Sequence, residues 1–124
     1  MLDYIPQMTS RQFKSCTGYS RLEFDQLLED FTSTFEEEYD CNYEYYITEH
    51  LREEVEVKLV NLFSCLFFVL YQYKNDLIYD SLAVTFKMGT TTAHDNFKRY
   101  SSLLEKTLEK KKYIQNENLN HQKN

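Results

Sequence analysis

Residues 77–108 read LIYDSLAVTFKMGTTTAHDNFKRYSSLLEKTL. In this stretch Ile78, Leu82 and Phe86 recur four apart, with Leu77 beside them, which predicts a short amphipathic helix. KMG then breaks the period, and Gly89 is the only glycine in the second half of the chain. After Gly89 or Thr90 as a cap, Ala93, Phe97, Tyr100, Leu104 and Leu108 share one face of a longer helix. Two helices joined by so short a turn must cross at a corner, with their apolar faces toward one core.

Upstream, LVNLFSCLFFVLYQY at residues 59–73 predicts a helix running from about 51 to 73. One stripe carries Leu59, Leu62, Phe63, Leu66, Leu70 and Tyr73, and Val60, Phe67, Phe68 and Val69 fill much of the remainder. A helix apolar nearly all round has to be surrounded by other helices. The run is too short for a membrane span, which takes about 20 predominantly apolar residues, and Asn61, Ser64 and Gln72 interrupt it.

Two more helices precede it. Thr9–Ser10 opens RQFKSC, and Gly18 supplies the left-handed residue that closes it. Ser20 with Glu23 three residues on is a capping-box signature, followed by Phe24, Leu27, Leu28, Phe31 and Phe35 on one face of a helix at about 21–39. Residues 40–50, DCNYEYYITEH, show no clear period and read as a tyrosine-studded connection. Beyond Lys112, YIQNENLNHQKN reads as a polar, disordered tail. Two glycines and one proline in 124 residues leave few turns for a β fold. The expected architecture is therefore all-α: a small bundle of about five helices in a domain at 1–112, ending in a helix-turn-helix, with a tail at 113–124.

Composition narrows the function classes. Three cysteines (Cys16, Cys41, Cys65) without ligand spacing suggest neither a disulfide framework nor a zinc site. The N-terminal MLDYIPQM has no apolar signal region, so a cytoplasmic protein is expected. No glycine-rich phosphate loop and no Ser/His/Asp arrangement is present, so no enzyme, cofactor or metal is expected. His94 has only Asp95 and Lys98 near it in helical register, a poor ligand set. Acid pairs such as Glu36–Glu37 and Glu53–Glu54 read as solvated surface.

The formal net charge of −6 is distributed unevenly. Residues 21–56 hold two basic against thirteen acidic residues, a balance of −11, whereas residues 77–112 hold seven basic against four acidic, a balance of +3. An acidic first half would repel phosphate, so any nucleic-acid contact belongs to the second half.

In a DNA-binding helix-turn-helix the first helix packs across the second, which enters the major groove. Ala83 is the small residue that lets the helices approach, Met88 plugs the core under the corner, and Ala93 faces back from the second helix. The motif commonly has glycine four residues after the small alanine, where this chain has Lys87, and Asn96 occupies a commonly apolar place. A plain αα-hairpin shares this spacing.

Residues 66–108, LFFVLYQYKNDLIYDSLAVTFKMGTTTAHDNFKRYSSLLEKTL, resemble the helix-turn-helix segment of DDE-type insertion-sequence transposases. Residues 13–31, FKSCTGYSRLEFDQLLEDF, resemble the opening of the same proteins, with TG, S, EF, LL and F in the family's order. Together they span roughly residues 13–108. The resemblance implies a module that recognises the terminal inverted repeats of a mobile element on double-stranded DNA. In that family a longer C-terminal domain supplies three metal-binding carboxylates. The chain ends before such a domain could begin, so the expectation is the DNA-binding part of a truncated or split transposase, without catalytic activity.

On this reading the start of the last helix touches DNA. Thr90, Thr91 and Thr92 offer hydroxyls to phosphates or bases, at a helix N-terminus that itself favours phosphate. His94 and Lys98, four apart, reach a base edge or phosphate, and Arg99 pairs with phosphate or guanine. Each is equally an ordinary exposed helix residue. The competing reading is a helical protein–protein interaction module that regulates a full-length transposase or binds a second copy of itself. The acidic face at 21–56 would suit such a partner, and an inert relic is a third possibility.

Overall fold

The structure, a computed structural model, describes residues 7–51 and 57–123, with side chains as far as Ile114. Its elements are α1 (Ser10–Thr17), α2 (Arg21–Tyr39), α3 (Tyr43–His50), α4 (Leu62–Asn75), α5 (Tyr79–Phe86) and α6 (Thr90–Lys123). The fold is an all-α bundle, and no strand occurs among the described residues.

The helix starts follow from local chemistry. Thr9 and Gln12 exchange side-chain and backbone bonds around the first turn of α1, and Gly18 closes it at φ +80°. Ser20 and Glu23 do the same for α2. That reciprocal bond, chiefly from the Ser20 amide, holds the Glu23 carboxyl below its ordinary range. Each such box satisfies two of the donors a helix N-terminus leaves unpaired.

Three expectations are corrected. The 40–50 stretch contains a helix, α3, whose Asn42 side chain accepts from the Tyr45 amide and whose Tyr43 and Tyr46 are buried. The central helix begins at Leu62 rather than near 51, because Asn61 and Ser64 form a third capping box. Residues 52–56 of that expected helix, with Glu53 and Glu54, lie outside the described residues. The last helix continues past Lys112 to Lys123.

α4 is the hub. Cys65 to Val69 are fully enclosed, and α1, α2 and α6 pack around the helix. Phe67 lies 5.9 Å from Phe13 of α1, Phe63 lies 4.9 Å from Phe24 of α2, and Phe68 lies 4.9 Å edge-on to Phe86 of α5. Edge-to-face rings at these spacings add to the burial energy. Between α4 and α5, the Gln72 amide donates to the Leu77 carbonyl at 2.7 Å and accepts from the Leu77 amide at 3.2 Å. One buried side chain thus fixes how α5 leaves α4.

At the centre, the Tyr43 hydroxyl donates to the Leu59 carbonyl at 2.6 Å. Its single proton is then spent, so the Tyr100 hydroxyl, 3.2 Å away, donates to Tyr43. Cys65 is enclosed beside these two rings, and burial pushes its thiol up to about 12. It is a protonated core residue at neutral pH, not a nucleophile.

Among the described residues no helix is long and apolar enough to cross a membrane. No group of three or more His, Cys, Asp or Glu is placed there to hold a metal ion.

Candidate nucleic-acid interface

The α5–α6 corner is sharp. The amides of Lys87 and Met88 return to the carbonyls of Val84 (3.2 Å) and Ala83 (2.9 Å), ending α5, and the Ala93 amide takes the Gly89 carbonyl to start α6. Lys87 adopts the left-handed conformation, φ +57° and ψ +46°. This is the position, four after Ala83, where the motif commonly has glycine. The backbone geometry is therefore present without the residue that adopts it most readily, at a conformational cost of roughly 1–2 kcal/mol.

Ala83 and Ala93 are both buried, and α5 packs directly on α6. Met88 packs against the core from beneath the corner, with its sulfur 3.6 Å from the Asn96 amide. Asn96 is itself buried, and Phe97 is half-buried on the α5 side. Two apolar assignments change: Ile78 is 72% exposed, preceding α5 in extended conformation, and Leu108 is 42% exposed while Thr107 occupies the core. The Thr107 hydroxyl bonds the Leu103 carbonyl and so enters the core with its polarity satisfied.

The six residues singled out in the sequence separate around the helix. Thr91, His94 and Lys98 are exposed, and a 3.6-residue turn sets them on one outward strip. Thr90 stands at the head of α6, exposed, but its hydroxyl donates to the Asp80 carboxylate of α5 at 2.7 Å. Thr92 is half-buried on the opposite flank. Arg99 turns away from the strip: its guanidinium lies 5.7 Å from the centre of the Tyr100 ring and donates to the Asn96 side-chain oxygen at 3.5 Å. Four of the six thus lie at or beside one accessible surface, and two flank it.

Two residues that sequence reasoning missed belong to this surface. Tyr79, the first residue of α5, packs its ring edge-on to His94 at 4.8 Å. Asp80, next to it, holds Thr90. Their signal lies ten or more positions from their partners and emerges only when the corner closes. His94 also has Asp95 beside it, with Nδ1 3.6 Å from the carboxylate.

Farther along α6 three lysines are already committed. Lys106 bonds Glu38 at 2.5 Å, Lys110 bonds Glu37, and Lys111 lies 3.6 Å from Asp30. The Lys106 bond, more than simple attraction, holds the Glu38 carboxyl below its ordinary range. These pairs run antiparallel along α2 and absorb much of its acidity. They begin sixteen residues beyond Thr90, roughly 24 Å along the helix, about three screening lengths at physiological salt. The acidic α2 is therefore well separated from the head of α6 at Thr90, and nearer to Lys98, which precedes Lys106 by only eight residues.

No family model matches this chain, and neither does any curated protein or solved structure.

Proposed function

We propose that this chain is a duplex-DNA-binding helix-turn-helix module, of the kind that reads the terminal inverted repeats of insertion sequences, and that its activity is binding rather than catalysis. The observation that carries the reading is the corner itself. The turn around Lys87 ends α5, α6 restarts at Thr90, and Thr91, His94 and Lys98 project outward from the first turns of α6. A second helix held across a first, with Thr91, His94 and Lys98 of its opening turns exposed, suits entry into a major groove. The transposase assignment rests on the resemblance of residues 13–108.

Little free positive charge serves this surface, so affinity should be modest and its salt slope shallow, since that slope scales with the number of phosphates neutralised. The test is a mobility shift with duplex DNA over a salt series, using wild type and Lys98→Ala plus Arg99→Ala. Wild type should bind at low salt. The double substitution should weaken binding to all sequences and reduce the salt slope by up to about 2. Arg99 is half-buried, so circular dichroism checks that the variant is folded. A shift unchanged by the double substitution would place any DNA contact elsewhere.

A second reading, a protein-interaction module for a transposase or a second copy, is favoured by a different observation. A groove of about 390 Å³ opens between α2 and α6, lined by Asp30, Thr34, Lys110 and Ile114 among others. Tyr113 and Ile114 at its end are more than half exposed. Size-exclusion chromatography across a concentration series tests self-association, and a monomer throughout removes the second copy as the partner.

A further inference from the structure

The first turn of α5 reaches two of the side chains assigned to DNA contact. Tyr79 packs edge-on against His94 and Asp80 accepts from Thr90, so consecutive residues of the first helix control consecutive turns of the second. Resting on the DNA-binding reading above, we infer that Tyr79 and Asp80 are positioning residues that make this surface read bases in preference to phosphates.

The physical case has two parts. A helix N-terminus attracts anions, because its first amides are unpaired and the peptide dipoles align. At α6 a carboxylate is already present: Asp80 is bonded to Thr90, the first residue of the helix. A phosphate approaching there meets a like charge and a hydroxyl whose proton is taken. The nonspecific attraction that most helix starts would offer is thereby reduced.

His94 is the complementary half. It is exposed on the outer strip with a ring that can donate to or accept from a base edge. A free imidazole rotates about two torsions. Tyr79, half-buried and itself 6.3 Å from Phe97, limits that rotation by occupying one side of the ring. Base discrimination needs a contact of fixed direction, whereas phosphate attraction tolerates a mobile one. The contribution of Tyr79 is thus orientation, and Asp80 contributes exclusion.

The experiment selects preferred sequences from a randomised duplex pool with wild-type protein, then measures affinity for the selected duplex and for a scrambled duplex of equal composition. Tyr79→Leu should reduce the preference by about tenfold, the scale of one well-made base contact, chiefly through lost affinity for the selected duplex. Tyr79→Phe keeps the ring and should keep the preference. Asp80→Asn retains an acceptor for Thr90 and removes the charge, and should tighten binding to both duplexes severalfold.

A second readout needs no DNA. The imidazole proton resonances of His94 should move in Tyr79→Leu and remain in place in Tyr79→Phe. Unchanged preference in Tyr79→Leu, or unchanged affinity in Asp80→Asn, overturns the corresponding half of the inference. Binding without any selected sequence overturns the inference while the DNA-binding reading stands. Absence of binding to any duplex at low salt overturns both.

Discussion

Lys98 and Lys110 lie on one helix, twelve residues apart, in opposite surroundings. Lys98 stands on an outward strip beside the corner, which is held by apolar contact: Ala93 is buried where α6 packs on α5, and Phe86 of α5 lies against Phe67, Phe68 and Tyr71 of α4. Lys110 is bound to Glu37, in a row of ion pairs that joins the far part of α6 to α2. The near end is built by burial and leaves its charge available; the far end is built partly by charge, with Lys106, Lys110 and Lys111 already paired. A net charge of −6 therefore says little about what either end can bind.

The largest expected effect tests the apolar end. Phe86→Ala removes a ring that is 2% exposed and should destabilise the fold by about 3–5 kcal/mol, read from the urea midpoint. It should also abolish DNA binding, since the corner depends on that ring. A cost below that of an ordinary surface change would break the comparison at its near end.

Next comes the polar centre between the two ends. Burial pushes Tyr43, Tyr100 and Cys65 all above their ordinary values. Groups whose folded values are raised contribute stability that is complete below their unfolded values. That stability is lost as the unfolded chain begins to ionise. Stability should thus hold through neutral pH and fall steadily from about pH 9 upward, as the unfolded thiol and phenols titrate. A urea midpoint flat from pH 8 to the strongly alkaline range, on that same scale of reference values, would contradict the buried placement of this cluster.

The smallest effect belongs to the far end. Asp30→Asn, Glu37→Gln and Glu38→Gln together should lower the urea midpoint by less than Phe86→Ala, and added salt should shrink the difference, because exposed ion pairs are screened. Glu38 has its carboxyl held low by Lys106, so its contribution is present above the ordinary carboxylate range and is lost as pH falls below it. If the neutralised protein loses as much stability as Phe86→Ala, the two ends are built alike and the contrast fails.

The legible parts of the fold were those where periodicity and capping agreed. Ser20 and Glu23 announced α2, and Phe24, Leu27, Phe31 and Phe35 marked its buried face, as found. Gly18 closed α1 in the conformation only glycine adopts freely. α3 was hidden because its buried face is Tyr43 and Tyr46, side chains with a polar tip that do not register as a stripe. The start of α4 was hidden because Asn61 and Ser64 fall within an apolar run, where a cap resembles an interruption.

Of the candidate site, the sequence alone determined the corner and the exposure of Thr91, His94 and Lys98. Turn chemistry and a 3.6-residue period act over a few neighbouring residues and can be read directly. Only the tertiary structure decided that Arg99 lies against Tyr100, that Asp80 occupies Thr90, and that Tyr79 bears on His94. The Asp80 and Tyr79 contacts depend on how two helices cross, and the crossing is set by packing against α4, which no local pattern in either helix encodes.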